Sequence, residues 1–307
     1  MVLKEPPAAP RPLEGLTIVV TGSRRAAEQS ALVSNLGGIP YVVPTVGISI
    51  PADDSEVEPF LLKLTSGEGV DYAVFMTATG VRTMVLAAER LGLKEAVIQS
   101  LNRGGTTVVA RSGKPRGELA KQGVKVDASP PREEATAKGI VDLLKKRGLR
   151  GKTVAILWHG SKSESTAKQM LAAGASEVSE CLSYHYSREL ESDGAEVLGS
   201  MGFNYKAPEE EAVLKLVEEV TTGGRRIDAL TFTSPPAVSN LFEVAGEHGL
   251  EEKLVEVLGE RRIVVAAVGS TTEGELEEHG VKADVVPGIS AMGAMTNALA
   301  AYFRERR

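Results

Sequence analysis

The feature that most restricts what this chain can fold into is that it repeats itself. At a constant offset of 157 residues, DYAVFMTATGV (71–81) lies over DALTFTSPPAV (228–238). At the same offset VVARSGKPRGELAKQGVKVD (108–127) lies over VAAVGSTTEGELEEHGVKAD (265–284), with nine of the twenty positions identical. The openings match as well, GLTIVV (15–20) against GKTVAI (151–156), then LGG (36–38) against AGA (173–175). After each second block come a Pro and a small-residue helix start, EATAKGIVDLL (134–144) and SAMGAMTNALA (290–300). Any two α/β segments resemble one another to some degree, but colinear blocks sharing one offset go beyond that. The length of 307 residues independently favours two domains of about 150 residues each. Two similar domains placed face to face would create a cleft, a common place for ligands.

The rhythm inside each half is a short β-branched run, a Gly/Ser/Thr turn and an amphipathic helix. Strands are expected at 16–21, 40–46, 71–76, 106–110, 153–158, 228–233 and 263–268, most of them apolar almost throughout. That pattern belongs to strands buried on both faces of a parallel sheet. Helices are expected between them, for example over 24–36, 80–91, 134–147, 209–221 and 291–303. The stretch 209–221 carries Val213, Leu216, Val217 and Val220 on one stripe and ends at Gly223–Gly224. Its opening EEE (209–211) suits the first turn of a solvated helix, where negative charge is favoured. Alternating strand and helix predicts an α/β fold with parallel sheets and right-handed crossovers.

Composition removes several classes of function. Aromatic residues make up 4% of the chain and the net charge is −6, which argues against a base-stacking platform or a general polyanion-binding surface. No nucleic-acid partner is expected, and anions must be bound locally. A single cysteine, Cys181, excludes an internal disulfide and any Cys-based zinc site. The four histidines (159, 185, 248, 279) never fall at metal-ligand spacing, so no metal is expected. The Pro-rich opening MVLKEPPAAPRPLEG lacks an apolar signal core and reads as a disordered arm over 1–13. No apolar run approaches the roughly 20 residues that span a bilayer. A cytoplasmic protein without membrane contact is therefore expected.

In open parallel sheets ligands sit beyond the carboxyl ends of the strands, where helices begin and present free N–H groups. The turns at those places are TGSRR (21–25), TATGVR (77–82), ARSGKPR (110–116), HGSKS (159–163), TSPPAV (233–238) and GSTTEG (269–274). They supply the candidate ligand-binding residues: Arg24; Thr77, Thr79, Gly80 and Arg82; Ser112, Gly113, Lys114 and Arg116; His159, Gly160, Ser161 and Lys162; Ser234, Pro235, Pro236 and Ala237; Ser270, Thr271 and Thr272. Helix capping alone accounts for any one such turn. Six of them on two matching halves point to carboxylate or phosphate binding through backbone amides and hydroxyls. No Gly-x-Gly-x-x-Gly follows the first strand, and neither a Walker Gly-Lys-Ser/Thr nor a Gly-x-Ser-x-Gly elbow is present. Cys181 is expected to be buried in a strand rather than reactive. Trp158, His159 and SYHY (183–186) bracket the entrance to the second half, where an individual His or Tyr is more often structural.

These turns, in this order, resemble uroporphyrinogen-III synthases from about residue 14 to 303. The carrying strings are DALTFTSPPAV (228–238), AAVGSTTEGELEEHGVKADVVP (266–287) and SAMGAMTNALAAYF (290–303). They match the family's Thr-Ser-Pro-x-Ala-Val, Gly-Pro-x-Thr-Ala and closing small-residue helix patterns. VVTGSRRAAEQSALVSNLGGIPYVVPTVGI (19–48) adds to the likeness, and AAGASEVSECLSYHY (172–186) resembles the segment that carries the family's Tyr.

The resemblance implies two flavodoxin-like α/β domains, joined by a two-stranded linker, with the ligand cleft between them. Carried over, domain one would be 14–47 plus 187–307 and domain two 48–186, so the repeat and the domain boundaries would not coincide. It further implies an enzyme, a hydro-lyase that closes hydroxymethylbilane with inversion of ring D and loss of water. The product, uroporphyrinogen III, leads to haem, sirohaem and cobalamin. No cofactor or metal is implied. Tyr184 matches the Tyr suspected of protonating the leaving hydroxyl. Thr272 matches the Thr of Gly-Pro-x-Thr, and Ser234, Pro235 and Pro236 match the Thr-Ser-Pro turn. The implied partners are the linear tetrapyrrole poly-carboxylate and, transiently, porphobilinogen deaminase; the family is usually monomeric.

Departures from the pattern are visible. SGKPRG (112–117) puts Pro115 where the first-half motif has Thr, TATGVR (77–82) stands where Thr-Ser-x-Asn-Gly-Val is common, and HGSKS (159–163) replaces an Arg-Gly turn. Such variants look like the actinobacterial branch of the family. Some members of that branch carry a C-terminal winged-helix domain, which is not expected after AYFRERR. The lost Thr keeps open a non-catalytic sensor of tetrapyrroles or small anions on the same scaffold. A two-lobed solute-binding protein is a third reading, disfavoured by the lack of a signal core.

Overall fold

The computed structural model describes residues 11–51, 53–67, 69–188, 192–202 and 205–306. The arm expected over 1–13 lies outside the described residues as far as residue 10. At its far end Leu13 is buried against Leu16, Ile18 and Val33, so the packed chain begins before residue 14.

In chain order the elements are β1 (Thr17–Val20), α1 (Ala26–Asn35), β2 (Ile39–Val42) and the short β3 (Gly47–Ser49). There follow α2 (Val57–Thr65), β4 (Tyr72–Phe75), α3 (Ala78–Arg90), α4 (Lys94–Asn102), β5 (Thr107–Ala110) and α5 (Gly113–Lys121). A single 3-10 turn at Arg132–Glu134 leads to α6 (Ala137–Arg147), β6 (Thr153–Leu157), α7 (Glu164–Ala172) and β7 (Glu177–Cys181). Then come β8 (His185–Ser187), α8 (Ser192–Ser200), α9 (Glu210–Thr222), β9 (Ala229–Phe232) and α10 (Pro235–Glu247). The chain closes with α11 (Glu251–Gly259), β10 (Val264–Ala267), α12 (Ser270–Glu278) and α13 (Met292–Arg304).

Two compact units result. The first takes the chain up to Gly47 and from Leu198 onward, with a short piece starting at Ser187; the second is Ile48–Tyr186 with a short piece ending at Val197. β3 and β8, where the chain passes from one unit to the other, pair as a separate two-stranded ladder.

The first unit is built on a parallel sheet of order β10-β9-β1-β2. Side chains alternate between its faces, as the period of two requires. Val19, Leu230, Phe232, Val265 and Ala267 point into one core with α9, α10, α11 and α12. Ile18, Ala229, Val264 and Ala266 point into the other, with α1 and α13. The second unit has the equivalent parallel order β5-β4-β6-β7, with Val74 set between Val109 and Ile156. Ala73 and Phe75 face a core shared with α2, α3, α4 and α5, while Val74, Met76 and Ile156 face one shared with α6 and α7. A sheet covered on both faces has no polar side, which is why these strands read as unbroken apolar runs.

The sequence repeat is a structural repeat. β4, α3, α4, β5 and α5 recur as β9, α10, α11, β10 and α12, each displaced end to end by the same 157 residues. So do the carboxylates that pin strand starts. Asp71 Oδ2 accepts the Thr153 N–H at 2.8 Å, and Asp228 Oδ2 accepts that of Thr17 at 2.8 Å. Asp127 Oδ2 holds the Val108 N–H at 2.8 Å, and Asp284 Oδ2 that of Val265 at 3.0 Å. Pro115 sits in the first turn of α5, where its missing N–H would have had no partner within the helix.

Among the described residues no helix is long and apolar enough to cross a membrane, and no group of three metal-ligating side chains occurs.

Candidate functional site

Each sheet changes direction of growth once, between β1 and β9 in the first unit and between β4 and β6 in the second. At such a point neighbouring crossovers diverge and leave a crevice beyond the strand ends, into which helix N-termini open.

In the second unit the turn after β4 starts α3. Thr77 caps the helix by accepting the Gly80 N–H at 3.0 Å, and its Oγ1 lies 3.2 Å from the Tyr184 hydroxyl. Thr79 is buried and its carbonyl accepts the Thr83 hydroxyl at 3.1 Å. A Cβ at position 80 would stand 3.1 Å from the Trp158 carbonyl, so Gly80 lets the first turn of α3 approach the end of β6. Arg82 is half-buried on α3.

The turn after β6 carries His159 and Gly160. Gly160 has φ 60°, and a Cβ there would meet the Tyr186 ring at 2.6 Å. Several of the few aromatic rings of this chain gather at this spot. Trp158 and His159 have centroids 5.9 Å apart, His159 and Tyr186 6.5 Å, and Tyr184 meets Tyr186 edge-on at 5.8 Å. Trp158 Nε1 donates to Glu180 Oε1 at 2.6 Å. Burial, then the positive charge of Arg111, hold His159 below its ordinary pKa. Tyr184 is only 1% exposed, so its phenol is enclosed, with its hydroxyl against that of Thr77. Cys181, at the end of β7, is fully buried and its thiol is pushed up to about 12 by burial and then by Glu56.

The turn after β5 opens with Arg111, which was not among the expected ligand-binding residues. It is half-buried, with an enclosed Nε that makes no hydrogen bond. The signal was in the sequence: Arg111 directly follows the apolar strand 106–110. Ser112 precedes α5 without a side-chain capping bond, and Gly113 and Lys114 are exposed in its first turn. Two expected cations are engaged elsewhere. Arg116 Nη2 donates to Ser129 Oγ at 3.0 Å, and Lys162 pairs with Glu56 at 3.3 Å, next to the exposed Ser161.

In the first unit the Thr21 hydroxyl donates to the Thr231 carbonyl at 2.8 Å. A Cβ at Gly22 would stand 2.7 Å from Thr233 Oγ1, so glycine again permits the close approach at the switch point. Arg24 is exposed and bridges to Tyr205. Ser234 precedes α10, whose first turn holds Pro235 and Pro236, and the carbonyl of the buried Ala237 accepts the Thr45 hydroxyl at 2.7 Å. Ser270 and Thr271 are exposed at the start of α12. Thr272 is 1% exposed and its Oγ1 makes no hydrogen bond among the described residues. A buried hydroxyl without a partner is uncommon in a folded protein.

Each unit thus offers hydroxyls, glycines and the unpaired N–H groups of helix first turns, features that suit oxyanions. The second unit adds an arginine and a ring cluster.

A family profile described as Uroporphyrinogen-III synthase HemD matches residues 27–297. The "Uncharacterized protein YjjA" of Bacillus subtilis is 32% identical over 294 residues, covering 96% of this chain and 98% of that protein. A Methanothermobacter thermautotrophicus protein described as "Putative uroporphyrinogen-III synthase" is 29% identical over 285 residues, 92% of this chain and 96% of its own. Among solved structures, a mutant uroporphyrinogen III synthase from the extremely thermophilic bacterium Thermus thermophilus superposes with a TM-score of 0.65 at 22% identity, covering 95% of this chain and 100% of that one. That likeness supports the two-unit parallel α/β fold. With the profile covering most of its length, this chain belongs to the uroporphyrinogen-III synthase family.

Proposed function

We propose that the protein cyclises hydroxymethylbilane to uroporphyrinogen III, inverting ring D through a spiro intermediate and releasing water. The observation that carries the reading is the Thr77–Tyr184 contact of 3.2 Å at the β4–β6 switch point of a chain in this family. Supporting it are the hydroxyl- and amide-rich turns at both switch points, matched to a substrate fringed with acetate and propionate groups. Thr77, Ser112, Gly113, His159 and Gly160 in the second unit would hold carboxylates, as would Ser234, Ser270, Thr271 and Thr272 in the first; the Gly80 N–H is already taken by Thr77. Lys114 and Arg24 add charge at exposed positions.

The chemistry needs a proton on the leaving hydroxyl as its carbon–oxygen bond breaks. Because Tyr184 is enclosed, the proton passes through the Thr77 hydroxyl, which is replenished by the phenol. The proton lost when the ring carbon re-aromatises restores the phenol, so the balance is one water released. The remaining catalysis is positioning: the bilane is held so that the uninverted closure is disfavoured. The test feeds the protein hydroxymethylbilane made in situ by porphobilinogen deaminase, then oxidises and separates the isomers. The type III isomer is expected; type I alone sinks the proposal.

One observation favours a second reading. Pro115 occupies the position that Thr272 holds in the first unit, so one hydroxyl of the symmetric pair is missing. A sensor that binds tetrapyrrole without turnover would follow if the isomer assay gives type I while tetrapyrrole binding persists.

A further inference from the structure

The repeat supplies an internal control for a single position. Arg111 and Val268 are equivalent residues, each directly after a strand, and their N–H groups make the same bond: Arg111 to the Phe75 carbonyl at 3.0 Å, Val268 to that of Phe232 at 2.9 Å. In the first unit Val268 packs against the core around Ile18 and Ala266. The backbone at this position therefore accommodates a small apolar side chain. In the second unit the same backbone carries a guanidinium, the Nε of which is enclosed and unbonded. No carboxylate among the described residues forms an ion pair with it. Burying a cation without an anion is costly. A scaffold that folds with valine in the equivalent place has no packing need for that cost. An arginine in this condition is the group best suited to a carboxylate, because its planar donors match two oxygens at once.

We infer that Arg111 is the carboxylate anchor of the second unit, seating one acid side chain of the substrate beside Tyr184, Tyr186 and His159. The inference rests on the proposed tetrapyrrole reading and adds the residue that fixes which substituent lies next to the Thr77–Tyr184 pair. Burial holds the guanidinium below its usual pKa, as expected of a cation awaiting its counter-ion, and Tyr186 and Tyr184 only partly offset that burial. Burial first, and then the positive charge of Arg111, hold the His159 ring below its ordinary pKa.

The test uses the full chain, Arg111→Val (the residue of the other unit) and Arg111→Lys. The affinity for uroporphyrin III, an octacarboxylate, is measured by fluorescence titration alongside thermal melting. Arg111→Val is expected to weaken binding at least tenfold while its melting temperature stays equal or rises, and Arg111→Lys to recover part of the affinity. Unchanged affinity in Arg111→Val overturns the inference. So does a wild type that binds no uroporphyrin III, and so does a fall in melting temperature in both variants, which assigns Arg111 to the scaffold. The isomer assay separates this outcome from the parent proposal. Type I product with Arg111-dependent affinity sinks the synthase reading and leaves the anchor; type III product with Arg111-independent affinity does the reverse.

Discussion

Tyr184 and Thr272 are both almost wholly enclosed, yet their hydroxyls differ in whether they have a partner. The Tyr184 hydroxyl is paired with Thr77 Oγ1 at 3.2 Å, so it has a route for a proton. Tyr184→Phe removes one atom from a packed ring and leaves the edge contact with Tyr186 in place. The expected result is a fall in kcat of about 100-fold with KM little changed, and a larger share of type I isomer. Normal turnover in this variant ends its assignment as the proton source. Thr272 has no partner for its hydroxyl among the described residues, and an unsatisfied buried polar group costs about 1–3 kcal/mol. Thr272→Val keeps the shape and deletes that cost. Chemical denaturation should show a variant more stable by about 1 kcal/mol, while KM for the bilane rises. A less stable Thr272→Val would mean that the hydroxyl serves the fold.

At the scale of elements, strand starts and the βα turns carry the candidate site. Asp71 sits ahead of β4 and grips the first N–H of β6, with Lys152 Nζ at 2.7 Å from its other oxygen. Partial burial works to raise its pKa, but the Lys152 ammonium and the Thr153 N–H outweigh it, and the carboxyl titrates below its ordinary value. Its contribution is therefore fully present above the unfolded carboxylate pKa of about 3.9 and is lost as the pH falls through the lower folded value. Asp71→Ala should cost about 1 kcal/mol at neutral pH from its hydrogen bonds. Urea midpoints of wild type and variant should converge in acid; a gap constant down to about pH 2 would show that the carboxylate charge is irrelevant. Gly160 is the second element-scale case. Its φ of 60° and the Tyr186 ring 2.6 Å from any Cβ mean that Gly160→Ala strains the backbone and displaces a ring together. A loss of about 2 kcal/mol is expected, with the near-ultraviolet signal of the ring cluster altered. An alanine variant that melts like the wild type would show that the turn after β6 is adaptable.

For the whole molecule, the two units differ in one respect that folding can read out. The second is nearly continuous in the chain and has both of its cores within 48–186. The first draws β1 and β2 from one end of the chain and β9 and β10 from the other. A unit with its own core should fold alone. The fragment 48–186 is expected to melt cooperatively, whereas 1–47 alone should not, since its strands lack β9 to pair with. A non-cooperative 48–186 would show that its core depends on the remaining chain.

Much of this architecture was legible in the sequence because it is written in local periodicity. The apolar runs at 71–76 and 228–233 became β4 and β9, and the stripe from Val213 to Val220 became the buried face of α9. The repeat of 108–127 in 265–284 became α5 and α12 with the strands before them, and Thr77 and Ser234 fell at helix starts as their residue types suggest. What could not be read locally were pairings between side chains from different strand ends. Lys162 looked like a free cation and is paired with Glu56; Arg111 looked like one more residue of a basic turn and is half-buried, with an enclosed Nε and no ion-pair partner among the described residues. The enclosure of Tyr184, 1% exposed, is likewise a matter of what packs around it in space.

The sequence by itself determined two copies of a parallel α/β plan and the residue types at each strand end. The order of strands in each sheet, fixed only when the apolar faces of all of them are buried together, decided which of those ends are neighbours. That order brings Thr77, Arg111, His159 and Tyr184 to one place from four separate stretches of chain. Charge, burial and hydrogen-bond partners act through space, so only the tertiary structure could assign them.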